Sequence, residues 1–216
     1  MKRTVSAICT GTARPYNGAE TSAIAKRPRE GTVQILTDGF APDEQADRRV
    51  HGGPEMAVHL YPLDHHHYWR EQLGAIALLD EPGAFGSNLA VSNLSERDVH
   101  IGDKFRLGSA LLQISQPRQP CWKIEHRFSA QTGAAGMVAR IIKTGRCGWY
   151  FRVIEIGDTI AGDTLERIEK GDENWSVLRA FNALIAGNGT QIELEELAGL
   201  PALSPKLRER AKAKLA

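Results

Sequence analysis

The stretch Lys104-Phe105-Arg106-Leu107-Gly108-Ser109-Ala110-Leu111-Leu112-Gln113-Ile114-Ser115, running on into Gln116-Pro117-Arg118-Gln119-Pro120-Cys121-Trp122-Lys123, decides how the chain is read. Its first half is two strand-like runs, 104–107 and 110–115, bracketing Gly108-Ser109, the pattern of a β-hairpin. Its second half is a loop directly after a strand. Two prolines there fix φ on either side of Arg118 and remove backbone donors, so a stiff turn holds Arg118 and Cys121 in place. Outward from this segment, short β-rich pieces recur between glycine and proline turns. Thr4 to Cys9 is an opening strand, Val33 to Thr37 alternates and ends at Asp38-Gly39, and Ala57 to Tyr61 is another strand. Trp149 to Ile156 is rich in aromatic and β-branched residues, and Thr164 to Ile168 closes the sheet.

The 216 residues are 42% hydrophobic and 25% charged, ordinary for a folded domain. Lys plus Arg number 27 against 26 Asp plus Glu, a net +1, which excludes an acidic disordered chain and a globally basic nucleic-acid coat. The length suits one main domain with a small appendage. No stretch approaches the roughly 18–20 apolar residues that span a bilayer, so no membrane partner is expected. The apolar run after Met1-Lys2-Arg3 is too short for a signal peptide. Cys9, Cys121 and Cys147 are too few, and odd in number, for a disulfide framework, so a reducing cytoplasm is the expected location.

Two helices interrupt the β pattern. One begins near Pro62 and runs to about Leu73. The other carries Met137, Val138, Ile141 and Ile142 on one face and stops at Gly145. From about residue 171 the period changes. Asn174 caps a helix with Val177, Leu178, Phe181, Leu184 and Ile185 on its apolar face. Thr190 to Glu193 has capping-box spacing and introduces Leu194 and Leu197. Ser204-Pro205 starts a third helix carrying Leu207, Ala211 and Leu215. The expectation is a mainly β body with helices, residues 1–170, and a three-helix unit, residues 171–216, packed on it.

Cys121 is the strongest chemical candidate. A thiolate attacks or ligates metal, and nearby Arg118 and Lys123 favour it, although most cysteines outside disulfides are small buried hydrophobes. Cys9 sits in strand periodicity and Cys147 at a helix–strand junction. His51-Gly52-Gly53-Pro54 leaves backbone uncovered beside an imidazole, where N–H groups approach an anion closely, or it is a glycine turn before a strand. Ser22 and Lys26 offer a hydroxyl and an ammonium to a phosphate, without the spacing of a Walker loop. In Phe85-Gly86-Ser87-Asn88-Leu89, Asn88 faces a cleft or belongs to a turn. The consecutive His65-His66-His67 point about 100° apart on a helix, so stacking at the surface against Tyr68 and Trp69 accounts for them better than a shared ion.

In combination these segments resemble the MOSC family, named for the C-terminal domain of molybdenum cofactor sulfurase, and most closely its stand-alone bacterial YiiM-like branch. The matching pieces, in order, are Ser22 to Lys26, Asp43 to Asp47 with Val50 to Pro54, Tyr61-Pro62 with Tyr68-Trp69, Phe85 to Leu89, Ile101-Gly102-Asp103, Gln116 to Cys121, and Gly148-Trp149-Tyr150 with Arg152-Val153. The helical tail resembles that branch's three-helix extension. The resemblance implies a β-barrel body and a molybdenum–pterin cofactor, with Cys121 as metal ligand and catalytic residue. It implies that Lys26, His51 and Arg118 hold the cofactor's phosphate or oxo groups, that Ser22 and Asn88 assist, and that Asp43 and Gln45 support them. Pro42, where glycine is expected, and the triple histidine depart from the pattern.

The reaction the resemblance implies is two-electron reduction of N-hydroxylated compounds, such as hydroxylamino base analogues, with His51 as proton donor. With no Gly-x-Gly-x-x-Gly and no cysteine cluster, electrons come from a separate flavoprotein or iron–sulfur protein. Two other readings compete. In one, Cys121 carries a persulfide for sulfur transfer. In the other, the basic stretch Lys206 to Lys214 binds nucleic acid, but no aromatic stacking pattern accompanies it and no specific nucleic-acid partner is expected.

Overall fold

The computed structural model describes residues 1–46 and 52–215. In chain order the strands and helices are β1 (Lys2–Thr10), β2 (Arg14–Asn17), β3 (Glu20–Ser22), β4 (Arg27–Pro28), β5 (Val33–Leu36), β6 (Gly39–Phe40), β7 (Val58–Pro62), α1 (Asp64–Leu73), β8 (Leu89–Val91), β9 (Lys104–Leu107), β10 (Ala110–Pro117), α2 (Trp122–Thr132), α3 (Met137–Thr144), β11 (Trp149–Glu155), β12 (Gly157–Thr159), β13 (Thr164–Glu169), α4 (Val177–Leu184), α5 (Gln191–Gly199) and α6 (Pro205–Leu215).

The hairpin read from 104–115 forms as β9 and β10, with Leu107 opposite Ala110 and Phe105 opposite Leu112. It sits within a sheet ordered β13-β9-β10-β11-β7-β8-β1, and β1 returns to β13 through Arg3 opposite Leu165 and Thr4 opposite Thr164. Seven strands thus close into a barrel, which removes the open edges a sheet otherwise presents. The closure is antiparallel except at β7 and β8, which run parallel and are joined by the α1 crossover. Inward side chains such as Val5, Ile8, Leu60, Leu107, Leu112, Ile114, Phe151 and Leu165 are wholly buried and form one apolar core. The protein is a mixed α+β barrel, as the resemblance implies.

The tail helices bury Val177, Ala180, Leu184, Leu194, Leu197, Leu207 and Ala211 in that same core. Phe181 turns instead to a second cluster, where Tyr61, Trp69, Phe85 and Phe128 meet α3's Met137 and Ile141. The capping box at Thr190 and Glu193 is present in both directions.

Four local readings differ from the structure. Pro62 is the last residue of β7, paired with Val91, and α1 begins at Asp64. The cap of α4 is Ser176, whose hydroxyl accepts from Arg179 N at 3.2 Å, because Asn174 lies two residues too early. His65 and His66 are buried rather than stacked at the surface. His65 Nε2 lies 2.8 Å from Glu96 Oε2, His66 Nδ1 lies 3.0 Å from Leu79 O, and both rings pack on Tyr61. Finally, α2 was unexpected: Ile124 and Phe128 are a single i, i+4 apolar pair amid Lys123, Glu125, His126 and Arg127.

Candidate functional site

β10 delivers the stiff loop. Arg118 N donates to Gly148 O at 3.0 Å, Pro120 follows, and the chain turns into α2 with Cys121 as the N-cap. An eleven-residue helix therefore points its unsatisfied N–H groups and positive end at the Cys121 position, which favours an anionic group there. The three thiols now separate. Burial pushes Cys9 up to about 12, and burial with Glu96 nearby pushes Cys147 well above the ordinary thiol range. Cys121 is half-buried and lines a cleft that encloses about 630 Å³ including its mouth.

Of the residues expected at the site, Ser22, Lys26, Asn88, Arg118 and Cys121 all line this one cleft, with Asp43 and Gln45. His51 lies outside the described residues. Asp43 is more central than its expected supporting place. Its Oδ1 accepts from Gly11 N at 2.8 Å, and its Oδ2 accepts from Asn88 Nδ2 at 2.8 Å and from the Lys26 ammonium. Burial pulls Lys26 below the ordinary lysine range and the Asp43 carboxylate opposes that pull. The Lys26 charge is therefore already partnered within the chain. Asn88 is a clamp: Oδ1 accepts from His59 N at 3.0 Å, while Nδ2 also reaches Cys9 O at 3.2 Å. Its amide ties β1, β7 and the 43 loop together. Ser22 Oγ accepts from Ile24 N at 3.2 Å and keeps its own hydroxyl hydrogen to donate. Gln45 holds the glycine turn, its Oε1 accepting from Gly53 N at 3.1 Å.

The decisive electrostatic feature is on the opposite wall. Arg118 and Lys123 are each 5% exposed, and among the described residues neither has a carboxylate ion-pair partner. Lys123 Nζ donates to Thr21 O at 3.0 Å, and Arg118 meets the Tyr150 hydroxyl. Among the described residues, the one carboxylate buried in the cleft, Asp43, is taken by Lys26, and Glu44 is exposed at the rim with Oε2 turned to Ala13 N. A buried cation favours an anionic group beside it, and Arg118 and Lys123 present two to the cleft.

Three further residues shape the cleft. His59 forms part of its lining, with its ring centroid 4.9 Å from that of Tyr150. Burial, reinforced by Arg118, holds this imidazole neutral, well below the ordinary histidine range. Its Nδ1 lies 3.3 Å from Gly86 O, a pure acceptor, so the proton sits on Nδ1. Burial raises the Tyr150 hydroxyl above its ordinary range, so it stays a neutral donor beside Arg118. His59 and Tyr150 pair with each other across β7 and β11 and alternate with the inward Val58, Leu60, Trp149 and Phe151, so both lie on the outer face of the barrel, where the cleft is. Their signal was the period-2 alternation, which sets both on the face opposite the core.

With this geometry in place, comparison with known proteins is informative. The MOSC domain family model matches residues 47–173. The Escherichia coli (strain K12) protein YiiM is 38% identical over 164 residues, 76% of this chain and 71% of that protein. A protein of Gibberella moniliformis named Reductase is 39% identical over 185 residues, 85% of this chain but 32% of that longer protein. The crystal structure of YiiM from Geobacillus stearothermophilus superposes with a TM-score of 0.82 at 29% identity, covering 99% of this chain and 100% of that one. The chain belongs to the MOSC domain family, in its YiiM-like branch.

Proposed function

We propose that the cleft binds a molybdenum cofactor and that the protein reduces N-hydroxylated compounds to amines. The observation that carries this reading is the pairing of a half-buried cysteine at a helix N-terminus with two buried cations that have no carboxylate ion-pair partner among the described residues. The donor set fits the group. A soft thiolate suits molybdenum, and Arg118, Lys123 and the Ser22 hydroxyl suit a phosphate or oxo group. A relative named Reductase supports the redox reading.

In this reading Cys121 holds the metal, and Arg118 and Lys123 hold the cofactor's anionic groups. Asp43, Lys26 and Asn88 fix the facing wall. The overall conversion is R–NHOH plus two electrons and two protons to R–NH₂ plus water, and the bound group supplies the two-electron chemistry. The chain's own task is to orient the nitrogen–oxygen bond, exclude water and deliver protons. His51 remains the proposed proton donor, since an imidazole titrates near neutral pH. His59, neutral and with Nδ1–H held by Gly86 O, is instead a fixed neutral wall beneath Arg118. Electrons come from a separate flavoprotein or iron–sulfur protein, and the setting is proposed to be the cytoplasm.

The test is reduction of hydroxylaminopurine and of hydroxylamine by protein made in a cofactor-competent host, with dithionite-reduced benzyl viologen as donor. Turnover that Cys121→Ser abolishes is expected. No turnover, together with an extra sulfur atom on Cys121 by mass spectrometry, would replace this reading with the sulfur-carrier one.

A further inference from the structure

A second cavity lies behind the first. It encloses about 730 Å³ with its mouth, and Arg14, Arg27 and Arg29 line it with no acidic side chain among the described lining residues. All three arginines are exposed. Arg27 pairs with Glu81, whereas among the described residues neither Arg14 nor Arg29 has a carboxylate ion-pair partner. The groove and the cleft share a thin wall. Ile24 and Lys26 face the cleft while Ala25 and Arg27 face the groove; Asp43 faces the cleft while Pro42 faces the groove. Gly11, directly after β1, closes the wall, packed against Ala23 O and the Lys26 side chain. Pro42, the departure from the family pattern noted above, is thus a groove residue and donates no hydrogen bond there.

We infer that this arginine groove is the docking surface for an acidic electron-donor protein. The inference rests on the reductase reading, which requires electrons from outside the chain. Charge complementarity selects the partner. Exposed arginines without counter-charges attract an acidic surface, raise the encounter rate and orient the complex, and they do so less as salt rises. Position selects the role, because a donor seated there is separated from the cleft by a single chain segment. Surface guanidinium groups of this kind set encounter and register, so their removal acts on donor recognition and leaves chemistry in the cleft alone.

The experiment compares wild type with R14Q/R29Q, which spares the Arg27–Glu81 pair, and with R27Q as a third site. Turnover is measured with reduced benzyl viologen, with flavodoxin and with a plant-type ferredoxin, both acidic proteins. Binding of oxidised flavodoxin and ferredoxin is also titrated calorimetrically without turnover. Expected are a rise of about tenfold or more in KM for the protein donor in R14Q/R29Q, with kcat near wild type, and weaker wild-type binding at high salt. Turnover with viologen should be unchanged in the variants. Equal KM and equal binding in wild type and R14Q/R29Q would overturn the inference. So would viologen turnover with no turnover or binding of either protein donor, or arginine-dependent binding of a single-stranded oligonucleotide in their place. If viologen itself gives no turnover, the reductase reading has failed, and the calorimetric arm still decides whether an acidic donor docks.

Discussion

Replacing Asp43 by Asn tests the wall of the cleft at its most loaded point. The carboxylate accepts from Gly11 N, Asn88 Nδ2 and the Lys26 ammonium, and the Lys26 and Asp43 side chains are 10% and 3% exposed. An amide keeps one acceptor for Gly11. It turns an NH₂ toward Lys26 and Asn88, so donors face donors, and it leaves a buried cation without its partner. Breaking a buried pair in this way costs about 3–5 kcal/mol. At about 2–4 °C per kcal/mol for a chain of this size, the thermal midpoint should fall by roughly 6–20 °C. The sign of the pH dependence follows from Lys26. Burial already lowers it from 10.5, and losing Asp43 lowers it further. Between the lowered folded value and 10.5 the unfolded chain binds the extra proton, so stability rises with pH in that window. The deficit of D43N should therefore be largest near neutrality and shrink toward pH 9–10. K26M/D43N should recover part of the loss, since the stranded charge is gone. Urea unfolding of wild type, D43N and K26M/D43N followed by circular dichroism measures all of this. A D43N deficit below about 1 kcal/mol, the scale of an exposed pair, would refute the buried-pair reasoning.

Other consequences can be checked in the same way. Burial holds His59 and His66 below the ordinary 6.5, so the unfolded chain takes up protons first and stability is lost as pH falls below 6.5. Each residue contributes up to about 1.4 kcal/mol per pH unit, and His66→Gln should flatten the pH dependence of the urea midpoint. Glu125 accepts from Val138 N at 2.8 Å and from Met137 N at 3.3 Å at the start of α3. Glu125→Ala should cost about 1–2 kcal/mol, the scale of a lost cap, and speed amide exchange in the first turn of α3. Phe181 is wholly buried against the second cluster, so Phe181→Ala should destabilise by about 3–5 kcal/mol while metal content per folded chain stays unchanged.

Much of the fold was legible where local pattern and structure agree: the 104–115 hairpin, the strands near 33 and 149, and the capping box at Thr190 each carry their own signal. What joins them was not. The closure of β1 on β13 pairs Arg3 with Leu165, and no local periodicity records a contact of that separation. The site was legible as residue types on loops and misread in their partnerships. Lys26 and Asn88 read as ligands from sequence, yet the fold sets both against Asp43, because a buried ammonium and a buried amide need acceptors. The histidine run read as a surface feature because periodicity does not show that Glu96 lies buried against His65. α2 was hidden by its polar face, and with it the helix N-terminus that singles out Cys121.

The most direct test is molybdenum content measured together with thermal midpoint for wild type, Cys121→Ser, Cys9→Ser and Cys147→Ser, all made in a cofactor-competent host. Cys121 is an N-cap, and serine is a better N-cap than most residues, so Cys121→Ser should fold as well as wild type. A hydroxyl that stays protonated is a poor ligand for a soft metal. Stoichiometric molybdenum in wild type and in the folded Cys9 and Cys147 variants, with none in an equally stable Cys121→Ser protein, is the predicted result. Full molybdenum in Cys121→Ser, or none in wild type, would contradict the assignment of this cleft as the cofactor site.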